Sequence, residues 1–300
     1  MSIHGRIRFG FCAKSVKSRA IGEYNWTADE STACTPKERG EQCTIIRCAP
    51  TTEGHPLLWN CLAKGTFSCS NRCGSTKAVF DNWHYRFSSN RTELHIHHKV
   101  SSYLDAREIA ENDEGKSHGR IDIEIIESSI IDLSEPENSL IQDPSDGAKF
   151  KIDDEELWLS KKVLGCHSPF FRNLFTKDFK ERAEDFYELK DLKLAEFLHF
   201  LAIIHDIPMS VSKRSIKYLL KLGDMFLCKA VTRQCEQFLR NVDPKDIPLR
   251  DVFQLADRFK MNQLLMDIVE NMSLDEVKPI PRTKLSPFAL DLIVQKLTSY

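Results

Sequence analysis

A cysteine and a histidine stand side by side at positions 166 and 167, inside the stretch LGCHSPFFRNLF. A thiol next to an imidazole base is the combination that nucleophilic catalysis uses, but adjacent residues cannot easily hold that hydrogen-bonded geometry while a third group orients the base. Ser168 and Pro169 are instead typical of a helix start. The apolar residues around the pair follow the spacing of one buried helix face: Val163, Leu164, Phe170, Phe171, Leu174 and Phe175. We therefore predict a structural core here, no catalytic residues, and a protein that is not an enzyme.

A second set of reactive side chains begins with Cys69 and Cys73 in CSNRC and continues with histidines. Thiolates and imidazoles are the ligands that zinc prefers. The spacing has no matching second cysteine pair, and two of the histidines share one strand face, from which ligands project in parallel. Those histidines are His95 and His97, and the set also contains His84 and His98. A buried cysteine with surface histidines explains the pattern as well, so we predict no metal and no cofactor.

Basic residues alternate with aromatic ones near the start of the chain, in GRIRFGF and KSVKSR. Basic and aromatic side chains together could bind single-stranded nucleic acid, but an ordinary strand with a solvated basic face has the same pattern. The basic residues are Arg6, Arg8, Lys14, Lys17 and Arg19, with Phe9 and Phe11 between them. Over the whole chain 42 basic residues face 44 acidic ones, which leaves a formal charge of −2. We therefore predict protein partners and no direct binding of nucleic acid.

Hydropathy and cysteine usage bear on the cellular compartment. The longest apolar run, FLHFLAII, is far shorter than the roughly 20 residues that cross a bilayer. The first residues show no apolar region typical of a secretory signal. The chain has ten cysteines, most of them in its first quarter, and without an export signal we expect free thiols. The prediction is a cytoplasmic or nuclear protein that does not enter membranes.

Two kinds of periodicity divide the chain. RIRFGF, TELHIHHKV and RIDIEI alternate with period two, so Ile121 and Ile123 point to one face and Asp122 to the other. Residues 1–126 are therefore predicted to form an antiparallel β-sandwich, filled by the tryptophans Trp26, Trp59 and Trp83. Residues 127–144 are predicted to be an acidic linker.

Helical spacing dominates the second half, for example in KLAEFLHFLAIIHD and SKRSIKYLLKLGDMFLC. A strand is predicted in DFYELKD, and Pro244 and Pro248 interrupt the helical run. These patterns predict an α+β chain, with a mixed α/β domain over residues 145–241 and a helical extension over residues 242–300.

The segment from Asp146 to about Asn241 resembles the BTB (POZ) domain family. The resemblance depends on features that occur in order: Asp146 before AKFKI and ELWLS, then KKVLGCHSPFFRNLF, FYELKDLKLAEFLHFL and LLKLGDMFLCKAVTRQCEQFL. Ser160 departs from the pattern, because the family usually has a structural histidine there, and we expect one local hydrogen bond to be weaker. The resemblance implies a homodimer, with apolar positions Phe150, Leu157, Trp158 and Leu159 supplying surface beyond the domain's own core.

The first half resembles the MATH domains of MATH-BTB proteins in its length, its strand pattern and its position before a BTB domain. The resemblance implies a MATH-like sandwich that holds a protein substrate. Which residues bind the substrate is unknown from the sequence, because a strand register that slips by one residue exchanges the exposed and buried faces.

In BTB adaptors a hydrophobic-x-Glu element after the S-P-x-F helix contacts a cullin scaffold. FKE places Phe179 and Glu181 at the matching position, so the resemblance implies that they bind a cullin. The alternative is that Phe179 is a satellite core residue. We therefore predict a substrate-recognition adaptor of a cullin-RING ubiquitin ligase. The alternative function is a BTB homodimeric scaffold or transcriptional co-regulator without a ligase role.

Overall fold

The computed structural model describes residues 2–10, 17–30, 41–52, 54–70, 77–99, 118–176, 186–282 and 285–298. These residues form two compact units. The first contains the described residues up to Leu140, together with Glu156–Trp158 and Ile207–Met209, and the second contains the rest. No helix in the described ranges is both long and apolar enough to span a bilayer.

The first unit consists of two antiparallel sheets, as predicted for a β-sandwich. One sheet has the strand order β1-β8-β5-β6 and the other the order β2-β3-β4-β7. The strands are β1 (Ile3–Gly10), β2 (Lys17–Ile21), β3 (Tyr24–Glu30), β4 (Glu41–Pro50), β5 (Leu57–Ser70), β6 (Lys77–Ser88), β7 (Glu93–Lys99) and β8 (His118–Asp132). Strand β8 thus continues into the stretch that the sequence predicts as a linker.

Strand alternation builds the core of this unit. Ile121 and Ile123 are buried on β8, whereas Asp122 between them is partly exposed. All three predicted tryptophans are in the interior, and Trp26 packs edge-on against Phe87 with ring centroids 5.1 Å apart. The period-two prediction is therefore confirmed for this half of the chain.

Gly65 on β5 allows close packing between two neighbouring strands. It pairs with Trp83 on β6 and lies opposite Ile123 on β8. A Cβ atom at this position would be 2.0 Å from the carbonyl oxygen of Asp122 and 2.7 Å from the Trp83 ring. Any side chain would therefore push the strands apart.

The second half begins with a small sheet and continues with helices. The sheet has the order β10-β9-β11, with β9 (Gly147–Ile152), β10 (Glu155–Ser160) and β11 (Phe186–Leu189), and β11 is parallel to β9. The helices are α1 (Lys161–His167), α2 (Pro169–Thr176), α3 (Leu194–Ile204), α4 (Ile216–Met225), α5 (Lys229–Asn241), α6 (Leu249–Arg258), α7 (Asn262–Asn271), α8 (Leu274–Val277) and α9 (Pro287–Thr298). The mixed α and β content agrees with the predicted fold class.

The stretch around Cys166 forms two short helices instead of one continuous apolar face. Ser168 separates α1 from α2, accepts a hydrogen bond from the Phe171 backbone N–H and donates one to the Phe226 carbonyl. The predicted cap and the proline at the first helical position are confirmed. Leu164 on α1 and Phe171 on α2 are buried, whereas Phe170, the neighbour of Phe171 on α2, is 37% exposed.

Three of the four apolar residues expected to supply a dimer surface are core residues instead. Phe150, Leu157 and Leu159 are fully buried, and only Trp158 is partly exposed. Phe150 stacks on Tyr187 with ring centroids 5.2 Å apart. The expectation was wrong because apolar composition does not distinguish a strand that faces its own helices from one that faces a partner.

Ser160, which departs from the family pattern, forms hydrogen bonds of its own. Its hydroxyl donates to Asp146 Oδ2 at 2.5 Å and accepts from the Val163 N–H at 3.1 Å, so it caps α1. The other Asp146 oxygen accepts from the Lys162 N–H at 2.8 Å. A hydroxyl at this position therefore connects the start of α1 to the short 3-10 helix that contains Asp146.

Candidate protein-binding surfaces

An open groove of about 1170 Å³ lies on the first unit. Strands β1, β2, β5, β6 and β8 all contribute to it. Its charged lining residues are Arg6, Arg8, Arg19, Lys64, Asp122 and Glu124, and two histidines, His4 and His84, also line it. The groove is therefore charged, and its lining carries more basic than acidic side chains.

Strand register explains why these charges meet. Arg6 is paired with Asp122 across β1 and β8, and Lys64 is paired with Glu124 across β5 and β8. The core residue Ile7 points the other way, because successive side chains of a strand point to opposite faces. Arg6 and Asp122 form an ion pair of 2.7 Å, and Lys64 and Glu124 form one of 3.2 Å.

Asp122 binds two arginines at once. Arg6 Nε donates to one carboxylate oxygen at 2.7 Å, and Arg120 Nε donates to the other at 2.8 Å. Partial burial raises the pKa of Asp122, but the hydrogen bonds from Arg120 and Arg6 outweigh it and hold the pKa below its usual value. Asp122 therefore stays ionised at neutral pH.

Two further arginines lie beside this carboxylate without sharing it. Arg8 is directly opposite Arg120 on the neighbouring strand, and Arg19 Nη1 donates to the Arg6 carbonyl at 2.8 Å. Among the described residues, neither Arg8 nor Arg19 has an ion-pair partner. We call Arg6, Arg8, Arg19 and Arg120 the arginine corner.

Sequence reasoning found part of this site. It predicts a solvated basic strand face with Arg6, Arg8 and Arg19, and Arg8 and Arg19 are exposed on strands; Lys14 lies outside the described residues. The contribution of Arg120 was missed. The sequence GRIDIEI contains the signal for Arg120, because Arg120 and Asp122 are two residues apart and therefore lie on the same polar face of the strand.

The second unit has two features suited to contacts with partners. Three apolar side chains near the α2 and α4 helices are exposed: Phe170 at 37%, Met225 at 41% and Leu227 at 57%. A smaller groove of about 590 Å³ lies beside α4 and α6, with Ile216, Leu255 and Phe259 among its apolar lining and Lys217 and Lys221 among its basic lining.

The residues predicted to bind a cullin, Phe179 and Glu181, lie outside the described residues, in the stretch between α2 and β11. Their role stays a prediction. Cys166 is exposed at the end of α1 and is followed by His167. Burial, with a smaller contribution from His167, lowers the pKa of His205 to about 4.

The histidines of the considered zinc set lie on two different sheets. His84 is on β6, whereas His95 and His97 are on β7. Cys43 Sγ on β4 is 3.6 Å from His95 Nδ1. Within the part of the chain that the structure describes, no three His, Cys, Asp or Glu side chains are grouped as a metal site would require. Cys73 and the side chains of Cys69 and His98 lie outside that part.

Comparison with known proteins defines the class of the second half. Residues 147–243 match the family model of the BTB/POZ domain, and they are a BTB/POZ domain. The antiparallel sandwich before it supports the resemblance to MATH-BTB proteins.

Individual relatives carry the same domain names. The chain is 28% identical over 133 residues to BTB and MATH domain-containing protein 38 of Caenorhabditis elegans, which is 44% of this chain and 33% of that protein. It is 26% identical over 113 residues to BTB and MATH domain-containing protein 15 of the same organism, covering 38% of this chain and 40% of the relative. Human Kelch-like protein 15 is 23% identical over 127 residues, 38% of this chain and 21% of the relative. The matches thus span less than half of each relative's length.

Proposed function

We propose that this protein is a substrate-recognition adaptor of a cullin-RING ubiquitin ligase in the cytoplasm or nucleus. The BTB domain and the MATH-BTB and Kelch-like relatives support the broader statement that it is a protein-interaction adaptor. The observation that carries the proposal is the combination, in one chain, of this BTB domain with a separate sandwich that has an open groove lined by charged residues. The sandwich would capture the substrate, and the BTB domain would bind the ligase.

Phe179 and Glu181 are the residues that we propose for the cullin contact. They follow α2, the helix that begins at Pro169, as the hydrophobic-x-Glu element does in BTB adaptors. An apolar anchor beside a group that can pair or hydrogen-bond is a common form of small interface hot spot. No catalytic role is proposed for this chain, because its partners would supply the chemistry.

Affinity purification of the full chain followed by mass spectrometry tests the proposal. We expect a cullin to co-purify with the wild type and to be lost from the double variant F179A/E181A, because truncating an interface anchor costs about 2 kcal/mol or more, roughly a thirtyfold loss of affinity. The matched control is Phe288→Ala, which removes an exposed phenylalanine of α9.

Three results would contradict the assignment. Recovery of co-repressors without any cullin would favour the scaffold or co-regulator function. If the cullin still co-purifies with the double variant, the cullin contact does not depend on Phe179 and Glu181. A lower melting temperature of the double variant than of Phe288→Ala would make Phe179 a core residue.

A further inference from the structure

We propose that the arginine corner binds an acidic segment of the captured protein, in which carboxylates or phosphorylated side chains alternate with other residues. The inference rests on the proposed function, because it names the class of substrate that the sandwich would recognise. The shared chemistry is an anionic oxygen pair, which aspartate, glutamate and phosphorylated serine or threonine all supply.

The charge balance of the corner is the first argument. Arg6 and Arg120 share the carboxylate of Asp122, and Glu124 is paired with Lys64. The guanidinium groups of Arg8 and Arg19 are left without an ion-pair partner among the described residues. An anion brought into the groove would therefore meet uncompensated positive charge.

Strand register supplies the second argument. Arg8 and Arg120 are directly opposite each other on β1 and β8, and like charges in that position destabilise a strand pair. A bound carboxylate or phosphate between the two guanidinium groups would convert this repulsion into two attractive contacts. The site is thus more favourable with an anion than without one.

The chemistry of arginine supplies the third argument. A guanidinium group presents a planar fork of donors that fits a carboxylate or phosphate with two parallel hydrogen bonds. The side chains are accessible, since Arg6 is 42% exposed and Arg120 is 32% exposed even though both bind Asp122. Arg8 and Arg19 are exposed as well.

The free edge of β1 favours recognition through side chains. β1 is the edge strand of its sheet in the described part of the chain. Arg19 already donates a hydrogen bond to the Arg6 carbonyl on that edge, which occupies an acceptor that an added strand would need. A partner segment would therefore lie over the arginine side chains and not extend the sheet.

Two features favour a peptide over a nucleic acid. Binding of single strands relies on exposed aromatic rings for base stacking, but Trp83, the aromatic residue lining the groove among the described residues, is only 6% exposed. The carboxylates of Asp122 and Glu124 in the same groove would repel a continuous phosphate backbone. A peptide can place its anions at the corner and neutral residues beside these carboxylates.

Fluorescence anisotropy with the full chain tests the proposal. Four labelled probes are compared. The first is a neutral Gly/Ser peptide of about ten residues, long enough to cross the groove. The second is the same peptide with three serines changed to glutamate, the third is the peptide phosphorylated at those serines, and the fourth is oligothymidylate of similar length. We expect both anionic peptides to bind and the neutral peptide not to bind, with affinity falling as salt rises. The ratio of the two anionic affinities identifies the preferred source of the anion.

Charge reversal assigns the binding to the corner. Loss of a charge-assisted hydrogen bond weakens binding about tenfold, so R8E/R19E is expected to lower the affinity for the anionic peptides about a hundredfold. Arg214→Glu in the second unit, an exposed arginine, is the matched control and should bind like the wild type. If R8E/R19E has a lower melting temperature than the wild type, the binding of R8Q/R19Q decides the outcome, because this variant removes the two positive charges without adding negative ones.

Several outcomes would overturn the inference. They are equal binding of the neutral peptide, no binding of either anionic peptide, unchanged binding by the arginine variants, or tighter binding of oligothymidylate than of the peptides. The F179A/E181A variant separates this inference from the proposed function, because it should lose the cullin and keep peptide binding. Failure of one therefore does not imply failure of the other.

Discussion

A buried histidine makes the stability of the second unit depend on pH. His199 on α3 is 1% exposed, and its Nδ1 is 2.7 Å from the Tyr218 hydroxyl. Burial lowers the pKa of His199 to about 4. Between about pH 6.5 and pH 4 the unfolded chain therefore binds a proton that the folded chain excludes, and stability is lost as the pH falls.

The variant His199→Gln should reduce this pH dependence. It removes the titrating group and keeps a polar side chain that can bond to Tyr218. We expect the slope of the unfolding free energy between about pH 4.5 and 6 to fall by up to about 1.4 kcal/mol per pH unit, measured by urea denaturation. His84→Gln on the exposed face of the sandwich is the control. An unchanged slope for His199→Gln would contradict the assignment.

Ser160 offers a second test at the scale of one residue. Its hydroxyl caps α1 and bonds to Asp146, so Ser160→Ala removes a cap and leaves a carboxylate oxygen without its donor. We expect a loss of about 1–2 kcal/mol of unfolding free energy. The exposed Ser145→Ala should change stability by less than about 0.5 kcal/mol. Equal effects of the two variants would show that the Ser160 contacts are not stabilising.

At the scale of elements, Asp257 fixes the start of the last helix. This carboxylate on α6 is 8% exposed and accepts hydrogen bonds from Ser286 N at 3.1 Å and Ser286 Oγ at 2.5 Å. The Ser286 hydroxyl in turn accepts from the Ala289 N–H at 3.2 Å, which caps α9. One serine thus both caps its helix and joins it to another.

Ser286→Ala should therefore detach α9 more than it disturbs the other helices. In this variant we expect amide hydrogen exchange to accelerate more in α9 than in α3. We also expect the free energy of unfolding to fall by about 2 kcal/mol, because α9 loses its cap and the buried Asp257 carboxylate keeps only one of its two hydrogen-bond donors. Val294→Ala on the same helix, at a position 44% exposed, is the control. Uniform exchange changes across all helices would contradict a local role.

At the scale of the whole molecule, we predict a homodimer formed through the BTB domain. Three of the four residues first expected at its interface, Phe150, Leu157 and Leu159, are buried in the core, so most of the surface must come from other side chains. Light scattering of the full chain should give twice the mass of 34.6 kDa at micromolar concentration, since obligate dimer interfaces typically bury over about 2,000 Å². A monomer mass under these conditions would contradict the prediction, whereas F179A/E181A should remain a dimer.

The sequence alone determined the features that depend on a few neighbouring residues. The alternation of Ile121, Asp122 and Ile123 predicts a strand with one buried face, and the structure has it. Ser168 and Pro169 predict a helix start, which the structure confirms. These predictions succeeded because side-chain direction and capping follow from the local backbone, whatever the rest of the chain does.

The tertiary structure decided which residues meet. Arg6 and Asp122 are 116 residues apart in the chain, and only the register of β1 against β8 brings them together and places Arg8 opposite Arg120. Likewise Phe150 and Leu157 are equally apolar whether they face a partner or a core, and only the folded chain shows that both are fully buried. The physical reason is that strand register and burial are properties of the whole fold, and a shift of one residue in pairing would have dispersed the arginine corner.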